Sequence, residues 1–302
     1  MNATLEFDVV TPAVRRPAMA DGLAELAVSA LIDEVTLTPK PGLVDIRSRG
    51  SHRDLDWSLM CHSARTLRPT FAALAGAGLE VGGNLAGEPL SLREAIGAIG
   101  RDGEAAMLQA TGGVNTHRGA IWALGLLVTA AAMCPADRAP VRVASRAGVL
   151  AGLPDRHAPG VTGNKGERAC LTYGVGGARG QAQAGFPHVV QVALPTLRRA
   201  RASGDAEDAA RLNALLAVMA ELDDTCVLSR GGAAALACVQ AGAQGVLASG
   251  GAGTRAGRAA LHALERALIA RNVSPGGAAD LLAAALFLDR FEAEDPIHQR
   301  EN

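Results

Sequence analysis

The chain has 302 residues and nearly balanced charge, 29 Lys and Arg against 30 Asp and Glu, for a formal net charge of -1. That balance gives no electrostatic footprint for nucleic acid or for an anionic membrane surface. Apolar residues make up 49% of the chain but aromatics only 3%, so a core must come mainly from Ala, Leu and Val, whose small side chains let helices approach closely.

Helical patterns dominate from end to end. Residues 1–18 are expected to form a flexible N-terminal segment, and Ala20 to Val35 reads as an amphipathic helix stopped by the Pro39–Pro41 pair. Trp57 to Leu79 carries the next helix, with Pro69 as a break or kink. Ser91-Leu-Arg-Glu94 has the form of a capping box opening a helix to about Ala110. The apolar run Gly119 to Cys134 is too short for the roughly 20 residues needed to span a bilayer, so it reads as a buried core helix. Arg138 to Leu150 follows, then Ala178 to Ala202 in two pieces divided near Pro187 or Pro195. Asp205 to Leu222, Gly232 to Ala248 and Thr254 to Asn272 come next. Ser274 before Pro275 reads as an N-cap with a first-turn proline, starting a helix to about Phe291. No alternating strand pattern is present. The expectation is an all-α, single compact multi-helix domain over 19–293 with functional loops between helices, and a tail over 294–302.

The loops hold most of the polar, glycine-rich material: Thr38 to Asp56, Ala110 to Arg118, Gly152 to Gly166, Tyr173 to Gly180 and Asp223 to Gly232. Gly152 to Gly166, with Pro154 and Pro159, reads as a mobile lid. Five cysteines (Cys61, Cys134, Cys170, Cys226 and Cys238) form no CxxC pair. They are read as reduced thiols in a cytoplasmic protein. The Arg15–Arg16 pair is followed by Asp21, Glu25, Asp33 and Glu34, so no export core follows it.

Standard nucleotide and zinc-protease motifs are missing, and YGVGGARG (Tyr173 to Gly180) fails the dinucleotide pattern. Three blocks carry chemistry instead. Glu34 to Asp56 concentrates Glu34, Lys40, Asp45, Arg47, Arg49, His52 and three further polar groups around prolines, and reads either as a solvated connection or as a functional loop. TGGVNTHRGA (Thr111 to Ala120) places Thr111, Gly112, Gly113, Asn115, His117 and Arg118 at the start of the apolar helix. Helix-start N–H groups bind anions, and two cations there ask for a compensating one. LDDTCVLSRGG (Leu222 to Gly232) puts Asp223 and Asp224 after a helix. It reads either as a solvated acidic turn or as a divalent-cation site, Mg²⁺ being the candidate. Arg230 and Arg179 have the setting of phosphate contacts. His62, His157, His188, His262 and His298 have no metal-ligand spacing.

Taken together, TPKPGLVD (Thr38 to Asp45), GSHRDLD (Gly50 to Asp56), GEAAMLQATGGVNTHRGAIWALGLL (Gly103 to Leu127), YGVGGARGQAQAGFP (Tyr173 to Pro187), LDDTCVLSRGG and NVSPGGAADLLAAALFLDR (Asn272 to Arg290) resemble the triphosphoribosyl-dephospho-CoA synthase family. The LDDTCVL form, with Cys226, resembles the malonate decarboxylase branch more than the citrate lyase branch. The resemblance implies transfer of the 5-triphosphoribosyl group of ATP to the ribose 2'-hydroxyl of 3'-dephospho-CoA, with release of adenine. The product would be passed to a separate carrier-protein transferase. It further implies Asp223 and Asp224 as metal or oxocarbenium-side acids, with Glu34, Asp45 and Glu104 as further carboxylates. Lys40, Arg118, Arg179 and Arg230 would contact phosphates. Thr111, Gly112, Gly113 and Asn115 would line the nucleotide pocket, and His117 would position ribose or adenine or act as general acid. Two other readings fit the same residues: an Mg²⁺-dependent N-glycoside hydrolase releasing adenine, and a non-catalytic helical assembly factor.

Overall fold

The computed structural model describes residues 12–82 and 89–294, and every regular element among them is helical. Helix α1 spans Pro12–Thr36, α2 Trp57–Thr66, α3 Arg68–Val81, α4 Pro89–Ala110, α5 Arg118–Met133 and α6 Pro140–Gly152. Then come α7 Lys165–Tyr173, α8 Gly177–Gln183, a π-helical turn His188–Ala193, α9 Leu194–Ala202 and α10 Glu207–Glu221. Helices α11 Thr225–Ala248, α12 Arg255–Ala270 and α13 Gly276–Ala293 close the chain. The all-α expectation holds.

Helices α1, α3, α5 and α13 pack on one another at the centre. Residues Ala120 to Met133 of α5 are buried almost throughout, as is most of α13 from Ala278 to Phe291. Small residues bring these helices close, as the composition implied. Gly78 of α3 lies directly against the Thr129 carbonyl of α5, and Gly242 of α11 against Leu264 of α12. A Cβ at either position would force the pair apart. Four phenylalanines lie in this core, where Phe71, Phe186, Phe287 and Phe291 are fully buried and the last two stack at 6.2 Å.

Several boundaries differ from the sequence reading, each for a local reason. Helix α1 starts at Pro12, inside the segment expected to be flexible, and residues 1–11 lie outside the described residues. The expected Trp57 to Leu79 helix is two helices meeting at Leu67, with Pro69 in the first turn of the second. Helix α4 begins at Pro89, so Ser91 sits inside its first turn instead of capping it. Glu94 is turned to Arg156. The division after Ala178 falls at the turn before Pro187, while Pro195 rides in the first turn of α9.

Two expected loops are largely helical. Helices α7 and α8 occupy parts of the stretches read as the ends of glycine-rich loops, with Asn164 capping α7 through the Glu167 amide at 2.9 Å. Helix α11 begins at Thr225, well before Gly232. That glycine still breaks it, at φ 68° and ψ -167°, a conformation that disfavours any side chain. Among the described residues α11 is the one helix long and apolar enough to cross a membrane; here it packs against α10, α12 and α7. Ser274 makes no N-cap bond for α13. Another side chain does that work, as shown below.

The stretch 153–164 has no helix, as expected of a loop. Its first half is pinned: Asp155 is buried against Arg93 and Arg101 of α4. Val161, beyond it, is exposed.

Candidate functional site

The N-termini of α5, α11 and α13 converge beside the C-terminal turn of α1. Asp224 brings two of them together. It is the N-cap of α11, its Oδ1 accepting from the Cys226 amide at 2.8 Å. Its Oδ2 accepts from Ala278 N in the first turn of α13 at 3.0 Å. Both oxygens of a 3%-exposed carboxyl are thus engaged by helix-start donors, where negative charge is favourable. Gly277 lies so close to this carboxyl that any Cβ there would press on it. The Asp223–Asp224 pair was read as electrostatically awkward after a helix. The resolution is that Asp224 belongs to the helices that follow: their backbone N–H groups bond its carboxylate, although burial still raises its pKa. Asp223 stays exposed.

Lys40 is the second anchor. It comes from the loop after α1, is 1% exposed, and forms an ion pair with Glu34 in the last turn of α1. Asp45 holds this loop in shape: it accepts from Thr38 Oγ1 at 2.7 Å, Lys40 N at 3.1 Å, and Arg47 N and Ser48 N at 2.8 Å each. The loop is then stapled to the α12–α13 connection, with Ser51 Oγ donating to the Val273 carbonyl at 2.7 Å and His52 Nε2 3.0 Å from Ser274 Oγ. Asp45 is therefore saturated by its own loop.

His117 is the N-terminal flank of α5 and is 3% exposed. Its Nδ1 lies 2.9 Å from Ser63 Oγ, while its Nε2 is buried with no partner. Burial, reinforced by the nearby Lys40 charge, lowers its pKa to about 4. The ring is neutral at physiological pH and presents one unsatisfied nitrogen.

Asp280, in the second turn of α13, was not singled out in the sequence. Its carboxyl lies against the Cα of Gly119, leaving no room for a side chain there. Protein surrounds it closely, yet part of its surface stays accessible. No hydrogen bond or ion pair to it exists among the described residues. Burial, with Glu34 and then Asp224 nearby, pushes this carboxyl well above the usual range. The signal for it was present: Asp280 is the lone charge in the otherwise apolar stretch Val273 to Leu288.

The remaining expected residues stand around this centre or away from it. Thr111 is buried, bonding the Met107 and Val114 carbonyls. Gly112 and Gly113 take positive φ (63° and 88°), and the Gly113 amide closes α4 on the Leu108 carbonyl. They serve as a helix C-terminus, which explains the glycines without an anion. Asn115 Oδ1 accepts from the Arg118 amide at 3.2 Å, and Arg118 pairs with Glu104. Arg230 is exposed on α11 and reaches the Ser51 carbonyl and His52 at 3.3 Å each. Arg179, in α8 and not in a loop, is exposed near Arg93, which lies over the Trp122 ring. His52 has a lowered pKa from burial and from Arg230, with Lys165 a smaller cause, so these cations share one rim.

The described residues include no group of three or more His, Cys, Asp or Glu placed to hold a metal ion. A resident metal cage does not fit this site. Magnesium carried by a nucleotide needs only one or two protein carboxylates beside its phosphates and waters, and Asp223 is free for that. Two shallow cavities, of about 220 and 280 Å³, lie outside this centre, beside Pro39 and Leu212 and beside Met19 and Phe291.

A buried acid–lysine cluster under a cationic rim is a setting for polyphosphate chemistry, and comparison with known proteins specifies it. The family model for ATP:dephospho-CoA triphosphoribosyl transferase matches residues 20–298. The chain belongs to this family. A protein of Azotobacter vinelandii named "Probable 2-(5''-triphosphoribosyl)-3'-dephosphocoenzyme-A synthase" is 57% identical over 279 residues, covering 92% of this chain and 94% of the relative. A Klebsiella pneumoniae protein named "2-(5''-triphosphoribosyl)-3'-dephosphocoenzyme-A synthase" is 54% identical over 268 residues, covering 89% and 94%. A Pseudomonas fluorescens relative with the first of these names is 55% identical over 286 residues, covering 95% and 97%. No solved structure matches. Membership of a transferase family disfavours the non-catalytic assembly-factor reading.

Proposed function

We propose that this chain transfers the 5-triphosphoribosyl group of ATP to the ribose 2'-hydroxyl of 3'-dephospho-CoA, releasing adenine. The observation that carries this reading is the convergence of three helix N-termini on the Glu34–Lys40–Asp280 cluster, beside an unsatisfied His117 Nε2, in a chain of this family. Breaking the C1'–N bond builds positive charge on the ribose. Carboxylates on a preorganised floor stabilise that charge, and they act strongly where water is excluded. Lys40 pairs with Glu34 there. Neutral His117 offers Nε2 to a ribose hydroxyl or a base nitrogen; with a pKa near 4 it orients the substrate as a hydrogen-bond partner. Exposed Arg230 and Arg179, with half-buried Arg118 beside Glu104, supply guanidinium groups for the triphosphate. Asp223 is the exposed carboxylate that would hold magnesium carried by the triphosphate, which would neutralise part of that group's charge.

The finer reading is that the product serves a malonate decarboxylase, a separate transferase attaching it to the carrier protein in the cytoplasm. It rests on the LDDTCVL form around Cys226. The test of the activity is incubation with ATP, Mg²⁺ and dephospho-CoA, following adenine and product by mass spectrometry. Adenine release that depends on dephospho-CoA is expected; release without the acceptor would make the chain a hydrolase. The branch is tested by which carrier protein, of malonate decarboxylase or citrate lyase, loses its prosthetic group when the gene is deleted.

A further inference from the structure

We infer that Asp280 is the general acid that protonates adenine as it leaves, a role the sequence reading had offered to His117. The inference rests on the proposed triphosphoribosyl transfer and adds the residue that moves the proton. The geometry sets Asp280 apart from every other carboxyl in the cluster. Asp224 has both oxygens engaged by backbone donors, Asp45 is saturated by its loop, and Glu34 is tied to Lys40. Asp280 alone among them has no donor, keeps accessible surface, and abuts the first turn of α5 at Gly119, two residues from the orphaned Nε2-bearing His117. A carboxyl that no donor stabilises, with Glu34 and Asp224 facing it from α1 and α11, favours its protonated form, which is the form a general acid needs. Cys226, on α11 beside it, also stays protonated through burial. His117 cannot take the role, because its imidazolium is scarcely populated near neutral pH.

The step balances as follows. The C1'–N9 bond breaks and its electron pair stays with adenine. The Asp280 proton moves to an adenine ring nitrogen. A new C1'–O bond forms to the acceptor 2'-hydroxyl, whose proton passes to the Glu34 carboxylate and on to Asp280, restoring the acid. Nothing is oxidised or reduced, and the acceptor proton ends on adenine.

The test compares leaving groups. Wild type, Asp280→Asn and Gly119→Ala are assayed with ATP and with a ribose 5-triphosphate bearing 4-nitrophenolate at C1', which departs without a proton. Asp280→Asn should lose about 10²- to 10⁴-fold of kcat with ATP. It should release nitrophenolate within about threefold of wild type. Gly119→Ala keeps the carboxyl but displaces it, so it should show the same leaving-group dependence with a smaller loss. Thermal melts and ATP titration separate misfolding from chemistry. Equal losses on both substrates, or retained ATP turnover in Asp280→Asn, would overturn the assignment. A wild-type chain that releases no adenine would instead overturn the transferase reading beneath it.

Discussion

Two charged regions of this molecule are opposite in character. On one flank Arg201 binds Glu207 at 2.8 Å and Asp289 at 2.7 Å, Arg211 binds Glu207 at 2.6 Å and Asp33 at 3.1 Å, and Arg290 and Arg198 extend the web to Asp33 and Glu292. Every acid there has a cation, and Glu207 is held down to about 2, chiefly by its hydrogen bonds with Arg201. At the convergence of α5, α11 and α13 the charges are fewer and deeper, and two polar groups, His117 Nε2 and Asp280, are left without partners. A paired, half-exposed network has nothing to offer a ligand. A cluster with open valences does, and the fold keeps it in place only by saturating its neighbours.

That contrast can be broken experimentally, beginning where the cost should be greatest. Lys40→Met leaves Glu34 buried without its cation, which should cost about 3–5 kcal/mol in urea unfolding and abolish adenine release. The Lys40→Met, Glu34→Gln double variant should regain much of that stability but not the activity. Failure to regain it would show that the pair holds the loop by more than charge.

His117 gives a pH signature. Its folded pKa near 4 lies below the unfolded value near 6.5, so the unfolded chain takes up a proton first as pH falls. The stability from keeping the ring neutral is fully present above pH 6.5 and is lost on the way to pH 4, amounting to roughly 3 kcal/mol. His117→Asn should flatten the dependence of Tm on pH across that window; an unchanged slope would refute the buried, neutral assignment.

Asp224→Ala removes caps from two helices and should cost about 2 kcal/mol, and Asp224→Asn, which keeps one acceptor oxygen, less. If Asp224 were chiefly a metal ligand, both variants would be as stable as wild type in metal-free buffer. The smallest effect belongs to the paired flank. Arg211→Ala should cost under about 1 kcal/mol, fade at high salt and leave turnover intact.

Much of this was legible in the chain. Apolar spacing located most helices, because a 3.6-residue period shows in the sequence wherever one face must be buried. Pro69 and the capping Thr254 marked real boundaries, and Glu34, Lys40 and His117 were named and do meet. The helical character of 225–231 was hidden by polar residues and Gly231–Gly232, since glycine reads as a break while its neighbours still bond as a helix.

What the sequence by itself determined is therefore the class of fold and the inventory of reactive residues, since periodicity and composition are local properties. Tertiary structure alone decided how each was used. It spent Asp224 on two helix starts, one of them reached through Ala278, 54 positions on, Asp45 on its own loop, and Gly112 and Gly113 on the end of α4. It left Asp280 and His117 Nε2 unsatisfied. Whether a polar atom is already bonded depends on donors distant in the chain, and no local pattern carries that information.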